Sequence, residues 1–295
     1  MEKVSLISKI SELYNQGKNV IQYLKDIEGR DSNTIEDILI SYDFQAGSYI
    51  QYVKENPVFN FNYTQALAKI IRNLIANGSV VEVGVGDATT LGNVAAKLGP
   101  EFTYGGLDIS WSRIFYAKEY LSKLNVNASL FTGDLFKMPF ADNCIDLVYS
   151  SHSLEPNGGR EEEALEELYR VTSNYLVLLE PDSELANEQG KERMRRNGYI
   201  SKLKDIIEGL NYNLITYRKF EFSFNSLNPT ALYVIKKTDP GHFKSKIDLV
   251  CPISHSTLIE REDHFFSPKA LVSYPKILGI PCLIINNAIL TTKML

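Results

Sequence analysis

The sequence predicts an α/β protein with a doubly wound, mostly parallel seven-stranded sheet, a helical N-terminal extension and a small β-rich C-terminal unit. Three observations predict it. Between residues 79 and 237, apolar runs of strand length alternate with helix-length stretches. The first run, residues 80–83, feeds straight into Gly84-Val85-Gly86, a turn that only glycine enters cheaply. Two later acids, Asp108 and Asp134, each follow an apolar run, which places carboxyls at strand ends.

Residues 1–78 read as helical. Ile21, Leu24 and Ile27 recur at helical spacing, as do Ile35, Ile38 and Leu39. Ser32-Asn33-Thr34 followed by Glu36-Asp37 reads as a helix start. Residues 41–49 are rich in aromatic and polar side chains, Pro57 breaks the chain, and residues 67–75 resume an amphipathic helix that ends at Gly78. The strands expected next are 80–83, 102–107, 129–132, 145–149, 175–179, 214–224 and 231–235. Helices are expected at 89–97, 112–124, 161–170 and 184–208, and the gap between the third and fourth strands lacks one. Only residues 225–230 join the last two strands, too short a link for a parallel crossover, so these two pair antiparallel. Residues 236–241 read as a linker, and a β-rich tail follows from Ile247 to about Ile289. The expected division is therefore a helical extension or lid over 1–60, a main domain over 61–240 and a tail unit over 245–295.

A hydrophobic content of 44% is ample for a packed core. The net charge of −5 gives no electrostatic reason to bind nucleic acid and reads as ordinary solubility. Three widely spaced cysteines, with no CxxC pair, point to the reducing cytoplasm. The first residues lack an apolar signal core, and no apolar run approaches the ~20 residues of a membrane span, so no membrane partner is expected. A homodimer is compatible with the sequence.

A strand, a glycine turn and two more strand-end carboxyls describe a nucleoside pocket at the carboxyl edge of an α/β sheet. Dinucleotide-binding turns carry a third glycine, which this turn lacks, and Asp87 would repel a pyrophosphate. A nicotinamide dinucleotide is thus the weaker candidate, and a phosphate-free nucleoside such as S-adenosylmethionine fits better.

Glu82-Val83-Gly84-Val85-Gly86-Asp87-Ala88 resembles motif I of class I S-adenosylmethionine-dependent methyltransferases of the methyltransferase-11-like type, with Ala88 in place of the third glycine. Gly105-Gly106-Leu107-Asp108-Ile109-Ser110 resembles the second-strand motif, Thr132-Gly133-Asp134-Leu135 the third, and Met138-Pro139-Phe140 through Asp146-Leu147-Val148 the fourth. The resemblance spans about residues 60–237. It implies a Rossmann-like methyltransferase sheet that takes S-adenosylmethionine and releases S-adenosylhomocysteine (SAH). On it, Asp108 and Ile109 address the ribose, and Asp134 and the Leu135 amide address the adenine. Glu82, Gly84, Gly86, Asp87 and Ser150 border the cofactor, and Tyr49 closes over it from a lid.

The loop Ser150-Ser151-His152-Ser153-Leu154-Glu155 lies, on this resemblance, beside the reactive methyl. Methyl transfer from a sulfonium is an in-line displacement with a good leaving group, so positioning supplies much of the acceleration. A hydroxyl or amine acceptor must still lose a proton, and imidazole is suited to take it. His152 is the expected base, with Glu155 as substitute or orienter. The (Asn/Asp)-Pro-Pro-(Tyr/Phe) signature of enzymes that methylate planar amides or adenine is absent. Glu180, Glu184 and Tyr199 are further candidates for the acceptor pocket, and Arg193, Arg195 and Arg196 for an anionic acceptor.

Cys251-Pro252-Ile253-Ser254 and Tyr274-Pro275 through Gly279-Ile280-Pro281 resemble a small zinc-ribbon-like family that includes the activator subunit of certain tRNA and protein methyltransferases. Ser254 and Ser267 stand where that family has cysteines, and the spacing of His255 and His264 is poor for a tetrahedral site, so no metal is expected. The expected activity is methyl transfer to an amine or hydroxyl of a small-molecule or sugar-type acceptor. RNA or protein methylation and a non-catalytic cofactor-binding or regulatory partner are the alternatives.

Overall fold

The structure, a computed structural model, describes residues 2–200, 202–238 and 247–294. Residues 239–241 of the expected linker, residue 201 of the expected helix 184–208, and residues 245, 246 and 295 of the expected tail lie outside the described residues.

The central sheet has seven strands: β1 (Gly78–Val83), β2 (Phe102–Asp108), β3 (Ala128–Thr132), β4 (Ile145–Ser151), β5 (Thr172–Pro181), β6 (Asn213–Lys219) and β7 (Thr230–Lys236). Their order is β3-β2-β1-β4-β5-β7-β6, with β7 antiparallel to both its neighbours and the others parallel. β1 and β4 are buried almost throughout, as expected for parallel strands covered on both faces. The strand order reverses between β1 and β4, and a crevice opens there at the carboxyl ends.

One face of the sheet is covered by α5 (Pro57–Leu74), α6 (Thr89–Leu98) and α7 (Trp111–Lys123), through Leu67, Ile71, Leu91, Val94, Ile114 and Leu121. The other is covered by α8 (Glu161–Val171) and α10 (Leu203–Gly209), through Leu165, Leu168, Leu203 and Ile207. The expected helix 184–208 is broken: α9 (Glu188–Asn197) stops at Gly198, whose φ of 66° caps it in the left-handed region. The expected strand 214–224 ends at Lys219. Phe220 N still bonds Thr230 O at 2.8 Å, after which the ladder ends, and the alternating Phe220, Phe222 and Phe224 pack their rings on Phe59 and Tyr63 of α5.

The N-terminal helices α1 (Ile7–Asn15), α2 (Val20–Glu28), α3 (Ile35–Phe44) and α4 (Ser48–Glu55) carry a small core of Ile10, Val20, Leu24 and Ile40, while Ile27 faces solvent. Thr34 and Asp37 form the capping box that starts α3, and Lys3 at 2.6 Å pairs with the buried Asp37. Asp43 ties α3 to the main domain. It accepts hydrogen bonds from Ser110 Oγ (2.6 Å), Ser112 Oγ (2.9 Å) and Ser112 N (3.2 Å) at the start of α7.

The tail forms short antiparallel strands, β8 (Ile259–Glu260), β9 (His264–Ser267), β10 (Val272–Ile277), β11 (Ile280–Pro281) and β12 (Ile289–Leu290). It covers the β3 edge: Leu283 N donates to Thr132 O at 3.0 Å, and Cys282 bridges Thr132 in parallel. It also occupies the gap without a helix after β3, where Val250 N bonds Pro139 O and Ala141 N bonds Asp248 O, each at 3.0 Å. Phe265, Tyr274 and Leu283 thereby join the core of Phe131, Phe140 and Ile145. Covering this edge removes a free row of backbone groups from the sheet.

Candidate functional site

A cavity of about 350 Å³ opens at the carboxyl ends of β1–β4 under α3 and α4. That volume lies in the range of small-molecule sites. Glu82, Gly84, Gly86, Asp87, Asp108, Ile109, Asp134, Leu135, Tyr49, His152 and Glu155 all line it. Ser150 does not. Its hydroxyl is buried and donates to Glu180 Oε1 at 2.8 Å, and the neighbouring Ser151 faces the cavity instead. Successive strand residues face opposite sides, so an offset of one position inverts the assignment.

The turn after β1 is held by Gly84 N and Val85 N, both bonded to Leu107 O. Gly84 and Gly86 have φ of 71° and 53°. A side chain at Gly84 would sit 2.0 Å from Ser153 Cβ, and one at Gly86 would sit 2.8 Å from Arg113 Nη1. Both glycines therefore also make room for the protein's own side chains. Asp108 receives Gly86 N on one oxygen and Ser110 N on the other, each at 2.9 Å, and Asp134 receives Phe136 N at 2.9 Å. These backbone donors fix both carboxylates facing the cavity, while burial raises the affinity of each for protons.

Glu82 is buried at the end of β1. Desolvation pushes its carboxyl up to about 8, against the pull of the Tyr149 hydroxyl, which donates to it at 2.8 Å. Burial likewise pushes Glu180, at the end of β5, up to about 7. One oxygen of Glu180 accepts from Ser150 Oγ, Ser153 N and Leu154 N, so this residue fixes the loop after β4 without lining the cavity. Glu184 is also absent from the cavity wall; it pairs with Lys204 and accepts from Tyr217. Tyr199 is not part of the wall either, but it stands behind Glu155 and Arg193.

Sequence reasoning missed Arg113. It is buried, its guanidinium lies over the rings of Tyr42 (4.9 Å) and Tyr49 (4.6 Å), and Nε donates to Tyr42 O at 2.9 Å. One signal pointed to it: a cation in the first turn of a helix opposes the helix dipole and calls for a local reason. Tyr49 N, in turn, donates to Asp87 at 3.1 Å. Arg113 Nη2 and Asp87 Oδ1 are both buried and without a protein partner.

His152 has a φ of 56°, and its N–H bonds Leu179 O at 2.9 Å. Nδ1 lies 3.0 Å from Glu155 Oε2, and Nε2 lies 2.9 Å from Thr230 Oγ1. Asn228 Nδ2 donates to Glu155 Oε1 at 3.1 Å, and Arg193 Nη1 donates to Asn228 Oδ1 at 2.6 Å. Phe224 presents its ring edge-on to His152 at 5.3 Å. No group of three or more His, Cys, Asp or Glu side chains among the described residues could hold a metal ion.

Residues 80–174 match the family model described as a methyltransferase domain. The fold resembles that of a putative sarcosine dimethylglycine methyltransferase from Galdieria sulphuraria, with TM-score 0.50, 11% identity, and coverage of 64% of this chain and 89% of that one. Also similar are a putative S-adenosylmethionine-dependent methyltransferase from Methanococcus maripaludis (TM-score 0.48, 20% identity, 66% and 93% coverage) and a magnesium protoporphyrin IX methyltransferase from Synechocystis with bound SAH (TM-score 0.47, 13% identity, 60% and 84% coverage). No curated protein matches the chain. The chain thus has a Rossmann-like methyltransferase fold, and its residues 80–174 are similar to a methyltransferase domain.

The residues that line the cavity fit S-adenosylmethionine, the cofactor expected from the sequence motifs. Asp108 and Asp134 offer acceptors for hydroxyl and amino groups. The unpaired Asp87 Oδ1 and Arg113 Nη2 are an acceptor and a donor suited to the ammonium and carboxylate of an amino acid. No helix among the described residues is long and apolar enough to cross a membrane.

Proposed function

We propose that this protein transfers the methyl group of S-adenosylmethionine to an amine or hydroxyl of a small-molecule or sugar-type acceptor. One observation carries the reading: the glycine turn, the strand-end carboxylates and the His152–Glu155 pair all face a single cavity of small-molecule size. When bound, the cofactor supplies an electrophilic methyl on a sulfonium. The chain's own work is to orient the acceptor, exclude water and take up its proton.

Ionised Glu155 only accepts hydrogen bonds, so the proton of a neutral His152 ring sits on Nδ1 and the Thr230 hydroxyl donates to Nε2. His152 and Glu155 therefore handle the acceptor's proton as a pair. Proton uptake at Nε2 requires the Thr230 hydroxyl to turn away, while Glu155 faces the cavity directly. Glu180 keeps the loop in place through three donors on one oxygen. We further propose residues 1–60 as a lid, 61–240 as the cofactor-binding domain and 245–295 as a degenerate zinc-ribbon-like unit. The convergence of Cys251, Tyr274, Ser254 and Ser267 supports the last assignment. The three free, buried thiols support a reducing, cytoplasmic setting.

The test is a transfer assay with labelled S-adenosylmethionine against small amines and hydroxyl compounds. His152→Ala and Glu155→Gln are expected to slow turnover about 10²-fold with SAH affinity preserved. Unchanged turnover in both variants would remove the pair from the reaction.

A further inference from the structure

The cavity wall contains two arginines, Arg113 at the cofactor end and Arg193 at the other. Arg193 is half-buried, lies over the Tyr199 ring at 5.5 Å, and has no carboxylate partner among the described residues. Its helix neighbours Lys191 and Arg195 instead pair outward with Glu188 and Glu192. Asn228 explains why Arg193 stays unpaired. Arginine only donates and carboxylate only accepts, so the two contacts fix the amide: Oδ1 takes the Arg193 N–H, and Nδ2 donates to Glu155. The asparagine is a neutral spacer that keeps the guanidinium from collapsing onto Glu155. Beside this cation the wall is apolar and aromatic, from Ile35, Tyr52, Val53 and Phe224, the last 38% exposed.

We infer that the acceptor half takes a small molecule bearing a carboxylate. Its acid group pairs with Arg193, and its apolar or aromatic body lies against Phe224 and Tyr52. This deepens the proposed methyl transfer and rests on it. A planar carboxylate matches the guanidinium fork. A phosphate, with nearly twice the charge, would face one arginine and the nearby Glu155 with no second cation in this part of the wall. The Arg193–Asn228–Glu155–His152 chain also sets the acid a fixed distance from the proton-accepting pair, so Arg193 selects which acceptor atom reaches the methyl.

The experiment titrates the protein, with and without saturating SAH, with benzoate and 4-hydroxybenzoate and with their neutral amides, followed by ligand-observed NMR. The acids are expected to bind about tenfold or more tighter than the amides, the worth of one charged hydrogen-bonded contact. Arg193→Gln should erase that preference while leaving SAH affinity intact, and Arg193→Lys should restore part of it. Asn228→Ala, which frees Arg193 to pair with Glu155, should weaken acid binding in the same direction. Equal binding of acids and amides, no acid binding at millimolar concentration, or a preference that survives Arg193→Gln would overturn the inference. SAH binding without an acid preference defeats this inference alone, whereas a wild-type protein that takes up no SAH defeats the methyltransferase reading beneath it.

Discussion

The two halves of the cavity are built differently. The half proposed for the cofactor is made of strand ends: Asp108 and Asp134 are each pinned by backbone N–H groups within two residues of themselves or from the neighbouring turn. The half proposed for the acceptor is a relay of side chains from three distant segments, in which Arg193, Asn228, Glu155, His152 and Thr230 fix one another. Backbone pinning makes a rigid site whose chemistry changes little from one substitution to the next. A side-chain relay can be retuned one residue at a time, which suits the half that meets the variable reactant.

If this contrast is real, substitutions in the first half should cost stability and cofactor affinity, and those in the second should change turnover and selectivity. The largest effect is expected from Gly84→Ala. The new methyl meets Ser153 in a left-handed turn and should cost about 2–5 kcal/mol in denaturant unfolding. Asp108→Ala should weaken SAH binding by about 1.5–3 kcal/mol in titration calorimetry. An affinity equal to wild type would break the account of the cofactor half.

The pH dependence of stability sharpens the comparison further. Glu82 and Glu180 titrate at about 8 and about 7 in the folded protein, against an ordinary value of 4.5. Raised folded values mean that their contribution is full below about pH 4.5 and is lost as pH climbs through 7 and 8. Unfolding free energy of the cofactor-free protein should therefore fall between pH 5 and 8 by an amount on the order of a few kcal/mol. Glu82→Gln and Glu180→Gln should each flatten that slope. The smallest expected effect is in the tail, where chelator treatment should leave the melting temperature unchanged and elemental analysis should find no stoichiometric zinc. One zinc per chain would contradict this.

The difference between the halves also decides what the sequence revealed. Gly84-x-Gly86, Asp108 and Asp134 were legible because each sits in a short run whose periodicity marks a strand end. The relay was legible only in part: His152, Glu155 and Arg193 stand out as residue types, but nothing local to Asn228 or Thr230 indicates that each bonds a residue more than seventy positions away. The alternating Phe220, Phe222 and Phe224 carry the same two-residue period as a strand, yet they pack on α5, where side-chain burial outweighs ladder pairing. Ser150 fell on the wrong face by one residue. The helix missing after β3 was visible as a gap, but its replacement by the tail rests on contacts about 110 residues apart in sequence.

The central claim is that an adenosyl sulfonium compound lodges between the β1 turn, Asp108 and Asp134. Equilibrium titration of the wild-type chain with S-adenosylmethionine, run in parallel with NAD, tests it most directly. Saturable one-to-one uptake of the first and none of the second is expected. Uptake of NAD with no response to S-adenosylmethionine would contradict it.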